Sequence, residues 1–243
     1  MTTHYQDNLI FDIGMHIGQD TEFYLAKGFK VIAIEANPLL AEEASTRFSK
    51  YIESQQLKIL NVGIDDQEGF FPFYVNDTLS EWGSFIKVIG ERGNLFHEIQ
   101  VNCVTLDRII QEHGIPYYLK VDIEGKDLKA IQRLTSFSAK PKYVSVENGN
   151  GGLLECLYQL GYRYFKFINQ ANYDKWRCPD PAREGLYIDY KFPHGSSGLF
   201  GEETEGEWKS YELVKEEIDA YWNRPDLDAT KHGWYDLHAK YDG

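Results

Sequence analysis

Three short stretches carry residue types that could do chemistry. In FDIGMHIGQDT, residues 11–21, Asp12 is followed by Gly14, Met15, His16, Gly18 and Thr21. Glycines in such a turn let a ligand lie against backbone where a Cβ would intrude. The helix N-terminus behind the turn favours a negative group such as a carboxylate. The pattern is D-x-G-x-x-x-G and not G-x-G-x-x-G, and the Asp12 carboxylate suits a cationic ligand group better than a pyrophosphate. Glu35, in IEANP, lies roughly 20 positions further on, where an acid at a strand end accepts hydrogen bonds from both ribose hydroxyls. In LKVDIEG, residues 119–125, Asp122 and Glu124 are two apart, which on a strand puts both on one side. Neighbouring carboxylates can hold a cation, act as a base or bind an ammonium. The first two stretches together indicate an adenosine-containing ligand, either a dinucleotide or a sulfonium nucleoside. Each stretch also has a plainer reading: tight packing of a turn, a surface glutamate, a capped turn.

The elements that would position these residues alternate. Asn8–Ile13, Phe29–Ile34, Leu57–Ile64, Glu98–Val104, Tyr117–Asp122, Lys142–Glu147, Tyr162–Ile168 and Leu186–Tyr190 read as strands, with Gly69–Val75 an edge segment because of Pro72. Helices are expected over Gly18–Lys27, from Pro38 through Ile52, and over Thr105–His113, Gly125–Leu134 and Gly152–Leu160. Alternation over most of the first 170 residues predicts an α/β fold, a doubly wound sheet with right-handed crossovers. Ligands in such sheets bind beyond the carboxyl ends of the strands. Residues 1–192 are expected to form the core. Residues 193–243 are expected as a C-terminal loop and helix appendage of the same domain, with His194–Trp208 a glycine-rich lid on the acceptor side.

Length and composition bound the function. With 243 residues, 42% hydrophobic and 26% charged, the chain can bury a continuous core. Its formal net charge of −13 repels phosphate backbones, and no N/D-P-P-Y/F motif occurs, so nucleic acid is not the expected partner. No apolar run is long enough to span a bilayer, and MTTHYQDN lacks the pattern of a signal peptide. Cys103, Cys156 and Cys178 are far apart and suggest neither a disulfide framework nor a zinc site. A cytoplasmic protein with reduced thiols is expected.

Taken in order, FDIGMHIGQDT, AIEANP, NVGI, VTLDRI and LKVDIEG resemble the FkbM family of S-adenosylmethionine-dependent methyltransferases. SEWGSF (80–85) and HGSSGLFGEETEGEW (194–208) are similar to segments of a subset of that family, so the resemblance runs from about Asn8 to Trp208. It implies a class I methyltransferase fold, Rossmann-like with a seven-stranded sheet, and methyl transfer to a hydroxyl of a small molecule, sugar or glycan. It implies S-adenosylmethionine as cofactor and S-adenosylhomocysteine as product. The cofactor contacts it implies are Asp12, Gly14, Met15, His16, Gly18 and Thr21 in the loop, and Glu35 at the ribose. Ala36, Asn37, Asn61, Val62 and Gly63 would lie around adenine, with Ser84 and Asp122 nearby. Met15 and His16 stand where many members carry Ala-Asn. Asp122 and Glu124 match the family's DxEG signature.

For removal of the acceptor's proton the candidates are Asp122, Glu124 and His194, the last of which opens the glycine-rich segment. A divalent metal beside Asp122 is allowed, but the sequence supplies no complete ligand set. Competing functions are N-methylation of a peptide or amide, a nicotinamide-dependent oxidoreductase on a similar sheet, and a non-catalytic nucleoside-binding protein. The acceptor's identity and the oligomeric state are not written in the sequence.

Overall fold

The structure is a computed structural model that describes residues 4–147 and 152–242; residues 1–3, part of the polar opening read above, lie outside the described residues. The elements run β1 (Tyr5–Ile13), α1 (Gln19–Ala26), β2 (Lys30–Ile34), α2 (Pro38–Arg47), α3 (Ser49–Glu53), β3 (Leu57–Leu60), β4 (Gly63–Ile64), β5 (Gly69–Asn76), α4 (Lys87–Glu91) and β6 (Phe96–Val104). They continue with α5 (Leu106–His113), β7 (Ile115–Val121), α6 (Asp127–Gln132), β8 (Tyr143–Glu147), α7 (Leu153–Gln159), β9 (Tyr164–Asn169), α8 (Tyr211–Trp222), α9 (Ala229–His232) and β10 (Tyr235–Lys240).

Seven strands form one sheet in the order β3-β2-β1-β7-β8-β10-β9. Neighbours from β3 to β8 pair parallel, and β10 runs antiparallel to both β8 and β9. This is the seven-stranded, mostly parallel α/β sheet that the resemblance implies. Its central strands are apolar on both faces because both faces are covered. Leu9, Phe11, Ile13, Leu119, Val121, Val144, Val146 and Leu237 join the core on one side, and Ile10, Tyr118 and Tyr143 join the core on the other. A second sheet, β4-β6-β5, flanks the cleft, with Pro72 on its edge strand as expected.

Local chemistry sets the element ends. Asn37 Oδ1 accepts the Leu39 N–H at 3.0 Å and caps α2, whose first residue is Pro38. The helix expected from Pro38 through Ile52 breaks at Phe48 into α2 and α3. The strand expected over Leu57–Ile64 splits, β3 staying in the large sheet and β4 moving to the small one.

The C-terminal part corrects two expectations. Leu186–Tyr190 is not a strand; the seventh strand is β10, so residues 193–243 close the sheet and are not an appendage to it. The expected lid is divided. His194–Ser197 borders the cleft, whereas Leu199, Phe200 and Glu203 are fixed in the core. Phe200 stacks on Tyr118 with ring centroids 4.7 Å apart. Lys27 Nζ meets Glu203 Oε1 at 2.8 Å with both side chains fully buried. Glu203 also accepts the N–H groups of Arg183 (3.0 Å) and Glu184 (3.1 Å). A segment held by a buried ion pair does not swing.

Glu203→Ala strands the Lys27 ammonium in the core and is expected to cost about 3–5 kcal/mol in urea unfolding. Lys27→Met is expected to cost clearly less, because the Glu203 carboxylate keeps two backbone donors. Equal costs would show that the pair itself is not what fixes this segment.

Candidate functional site

Strand alternation and register place one polar row across the middle of the large sheet. Asp12 pairs with Lys120, Lys120 with Ser145, Ser145 with His238 and His238 with Lys166. All five are buried. Lys120 is the hub: its Nζ donates to the Gly14 carbonyl at 3.2 Å and lies 3.4 Å from Asp12 Oδ1, 3.5 Å from Asp20 Oδ2 and 3.6 Å from Asp122 Oδ2. Burial would lower its pKa, but Asp12, Asp122 and Asp20 outweigh that and hold it well above the ordinary lysine value. Asp12 also accepts from Thr21 Oγ1 at 2.6 Å, and Asp20 accepts the Ser197 N–H at 2.9 and 3.1 Å. At the far end of the row, burial lowers His238 to about 3 and Lys166 to about 8.

Beyond this row, at the carboxyl ends of the strands, opens a cavity of about 860 Å³. One end is bordered by Gly14, Met15 and His16, by Glu35–Asn37 and by Val62 and Gly63. Glu35 accepts backbone N–H groups from His16 (2.9 Å) and Asn37 (2.8 Å). Burial raises its carboxyl to about 7 in spite of those donors. Gly14 and Gly63 are needed here for close approach. A Cβ on Gly14, whose φ is +83°, would come 1.8 Å from the Asp122 carbonyl oxygen, and one on Gly63 would come 2.3 Å from the Phe85 ring.

The other end is bordered by Asp122, Glu124, Glu147, Gln170, His194–Ser197, Trp234 and Asp236. Glu147 and Asp236 sit directly opposite each other on β8 and β10. Burial pushes both carboxyls well above their ordinary values, and the Asp122 charge adds to it. His194 packs against Tyr173 and Trp234, with centroids at 5.5 and 5.7 Å.

Asp122 and Glu124 do not share a strand face, as the spacing suggested. β7 ends at Val121, and Glu124 has a positive φ of 51°. Ser84 Oγ donates to the Glu124 carbonyl at 2.8 Å, and the Glu124 carboxylate pairs with Arg92. Burial and the Asp122 charge raise Glu124 to about 8 against the pull of Arg92. Asp127, raised to about 7 by burial, accepts the N–H groups of Ile123 and Gly125 and fixes the same turn.

Of the residues expected at the cofactor, Gly14, Met15, His16, Glu35, Ala36, Asn37, Val62, Gly63 and Asp122 border the cavity. Asp12, Gly18, Thr21, Asn61 and Ser84 are not among the bordering residues, and all but the exposed Asn61 are buried. Asn61 Nδ2 donates to the Glu35 carbonyl at 2.9 Å, and a Cβ on Gly18 would meet the Phe48 ring at 2.6 Å. Sequence reasoning missed Lys120, Asp20, Glu147, Gln170, Ser196 and Asp236. Lys120 had a readable signal: a lysine inside an apolar strand run must find buried carboxylates. Among the described residues no group of three or more His, Cys, Asp or Glu is set to hold a metal, and no helix is long and apolar enough to cross a membrane.

Residues 12–164 match the family model of the Methyltransferase FkbM domain. No curated protein matches the chain. Among solved structures, methyltransferase FkbM from Methylobacillus flagellatus KT is 14% identical with a TM-score of 0.42, over 65% of this chain and 38% of that one. The match therefore takes in well under half of that relative's length. Precorrin-6y C5,15-methyltransferase from Geobacter metallireducens GS-15 is 9% identical, TM-score 0.41, over 98% of this chain and 81% of that one. An rRNA methylase from Streptococcus thermophilus is 9% identical, TM-score 0.40, over 98% and 89%. At these scores the fold rests on the strand order and the family on the match over residues 12–164.

Six carboxyls around the cavity (Asp20, Glu35, Glu124, Asp127, Glu147 and Asp236) hold their protons more tightly folded than unfolded. Each therefore withdraws stability as pH rises from the unfolded value through the folded one. His16, His113 and His238, lowered by burial, act in the opposite sense mainly below the ordinary histidine value of 6.5, and Lys166, lowered to about 8, offsets one of the six carboxyls above that pH. The ligand-free protein is expected to lose roughly 3 °C or more in Tm between pH 6.5 and 8.5, on the order of 1–2 kcal/mol. A Tm that rises over that interval in thermal-shift measurements would contradict these assignments.

Proposed function

The chain belongs to the FkbM methyltransferase family, and on that premise we propose that it methylates a hydroxyl of a small molecule or glycan, using S-adenosylmethionine. The observation that carries the reading is that a single cavity joins the Gly14–Glu35 rim to the carboxylates at the ends of β7, β8 and β10. Its volume, about 860 Å³, lies toward the upper end of small-ligand sites and suits a cofactor with an acceptor beside it. The family sets the nicotinamide alternative aside.

The residues fit the cofactor. Each Glu35 carboxylate oxygen takes one backbone N–H and keeps lone pairs for ribose hydroxyls. Val62, Phe73 and Phe85 offer an apolar wall for adenine, and Gly63 lets that wall close up. The Lys120 cluster fixes the Gly14 carbonyl and the Asp122 carboxylate at the turn where the methionine end would lie. When bound, S-adenosylmethionine supplies a methyl group on a positively charged sulfur. The protein's part is then to hold an acceptor oxygen in line, exclude water and take up its proton.

For the proton we assign Asp122, whose carboxylate borders the cavity and is only partly buried. Glu124 is tied to Arg92 and serves to shape the turn. His194, at the rim, is the second candidate for the proton.

Two outcomes are expected. Glu35 must be ionised to accept both ribose hydroxyls, and its ligand-free value is about 7. S-adenosylhomocysteine affinity by calorimetry should therefore rise about tenfold from pH 6 to pH 8, and Glu35→Gln should bind weakly with no such slope. Asp122→Asn should lower turnover about 100-fold or more, read as S-adenosylhomocysteine formed with hydroxyl acceptors, a loss far larger than that in cofactor affinity or Tm because Asp12 and Asp20 still face Lys120. Full turnover in that variant would pass the role to His194.

A further inference from the structure

At the acceptor end of the cavity the acids outnumber the bases. Lys120 is engaged by Asp12, Asp20 and Asp122, and Arg92 by Glu124. Glu147 and Asp236, face to face across β8 and β10, have no ion-pair partner among the described residues. Beside them lies a second, independent feature. Gln170 is 1% exposed and borders the same cavity, yet neither its Oε1 nor its Nε2 has a hydrogen-bond partner. Ser196, 2% exposed on the same wall, leaves its Oγ equally unpartnered. Gln170 is held there by its backbone, which donates to the Trp234 carbonyl at 2.7 Å, two residues before Asp236.

Buried polar atoms without partners are costly in a folded protein. Three such atoms on one cavity wall, next to two acids without an ion pair, describe a missing molecule with complementary groups. A protonated amine answers the acids. Hydroxyls, which both donate and accept, answer the amide and the serine.

We infer that the acceptor is a polyhydroxy compound bearing a protonated amine, such as an amino sugar or amino alcohol, seated with its ammonium between Glu147 and Asp236 and its hydroxyls on Gln170 and Ser196. The inference rests on the methyltransferase reading and narrows its substrate class. Glu147, Asp236, Gln170 and Ser196 become residues that determine acceptor specificity.

The test uses full-length protein saturated with S-adenosylhomocysteine and matched probes: glucosamine against glucose, and ethanolamine against ethylene glycol, titrated at pH 7. Each amine is expected to bind at least tenfold more tightly than its neutral partner. Glu147→Gln combined with Asp236→Asn should remove that preference and leave S-adenosylhomocysteine affinity within about twofold. Gln170→Ala should weaken glucosamine more than ethanolamine. Equal binding of amine and neutral probes, including no binding of either, overturns the inference. So does a preference that survives the double variant, or a double variant that loses S-adenosylhomocysteine, since the acids would then serve the cofactor. Failure of the wild type to bind S-adenosylhomocysteine at all would instead count against the methyltransferase reading itself.

Discussion

The site depends on one buried ammonium. Lys120 sits in the middle of a sheet covered on both faces, and a charge there is tolerable only when carboxylates surround it. They come from three places: Asp12 on β1, Asp20 in the first turn of α1, and Asp122 just past β7. Satisfying Lys120 therefore fixes the turn that carries Gly14, the start of α1 and the end of β7 relative to one another. Asp20 passes the constraint on, because it also holds the Ser197 N–H and so places the C-terminal wall of the cavity. One ion-pair cluster thus decides where the residues around the cavity stand.

A second scaffold acts from the opposite side. The β4-β6-β5 sheet carries the arm that holds Leu79–Gly83 over the cavity. His16 Nε2 lies 2.7 Å from Ser80 Oγ, and the Arg92 guanidinium covers the Trp82 ring at 4.7 Å while pairing with Glu124. The cavity roof is therefore attached to the cofactor turn at one point and to the DxEG turn at another. The segment expected to be the lid forms wall and core, and this arm forms the roof.

Much of the frame was legible because its signals are local. Strand–turn–helix alternation, Pro38 at a helix start and Glu35 at a strand end are written in neighbouring residues. What escaped has no local signature. β10 reads YDLHAK, with polar residues at every second position, and only its place between β8 and β9 explains why Asp236 and His238 are buried. Ser84 and Thr21 were expected at the ligand and turned out to hold Glu124 and Asp12 from behind. Sequence spacing does not separate a residue that touches a ligand from one that aims its neighbour. The Asp122–Glu124 pair was misplaced because a period-2 argument requires the strand to continue through Glu124, and β7 stops three residues short of it, at Val121.

The insertion of β10 between β8 and β9 also sets a schedule for synthesis. The ribosome delivers β8 and β9 long before the strand that joins them, so until Tyr235–Lys240 emerges the sheet has a gap and two raw edges. Asp236 arrives with that same strand, and so does the backbone that keeps Gln170 in place. A nascent chain can assemble the Glu35 side of the cavity early. Its opposite wall forms only with the final strand pairing, so completion of the sheet and completion of the pocket are a single event.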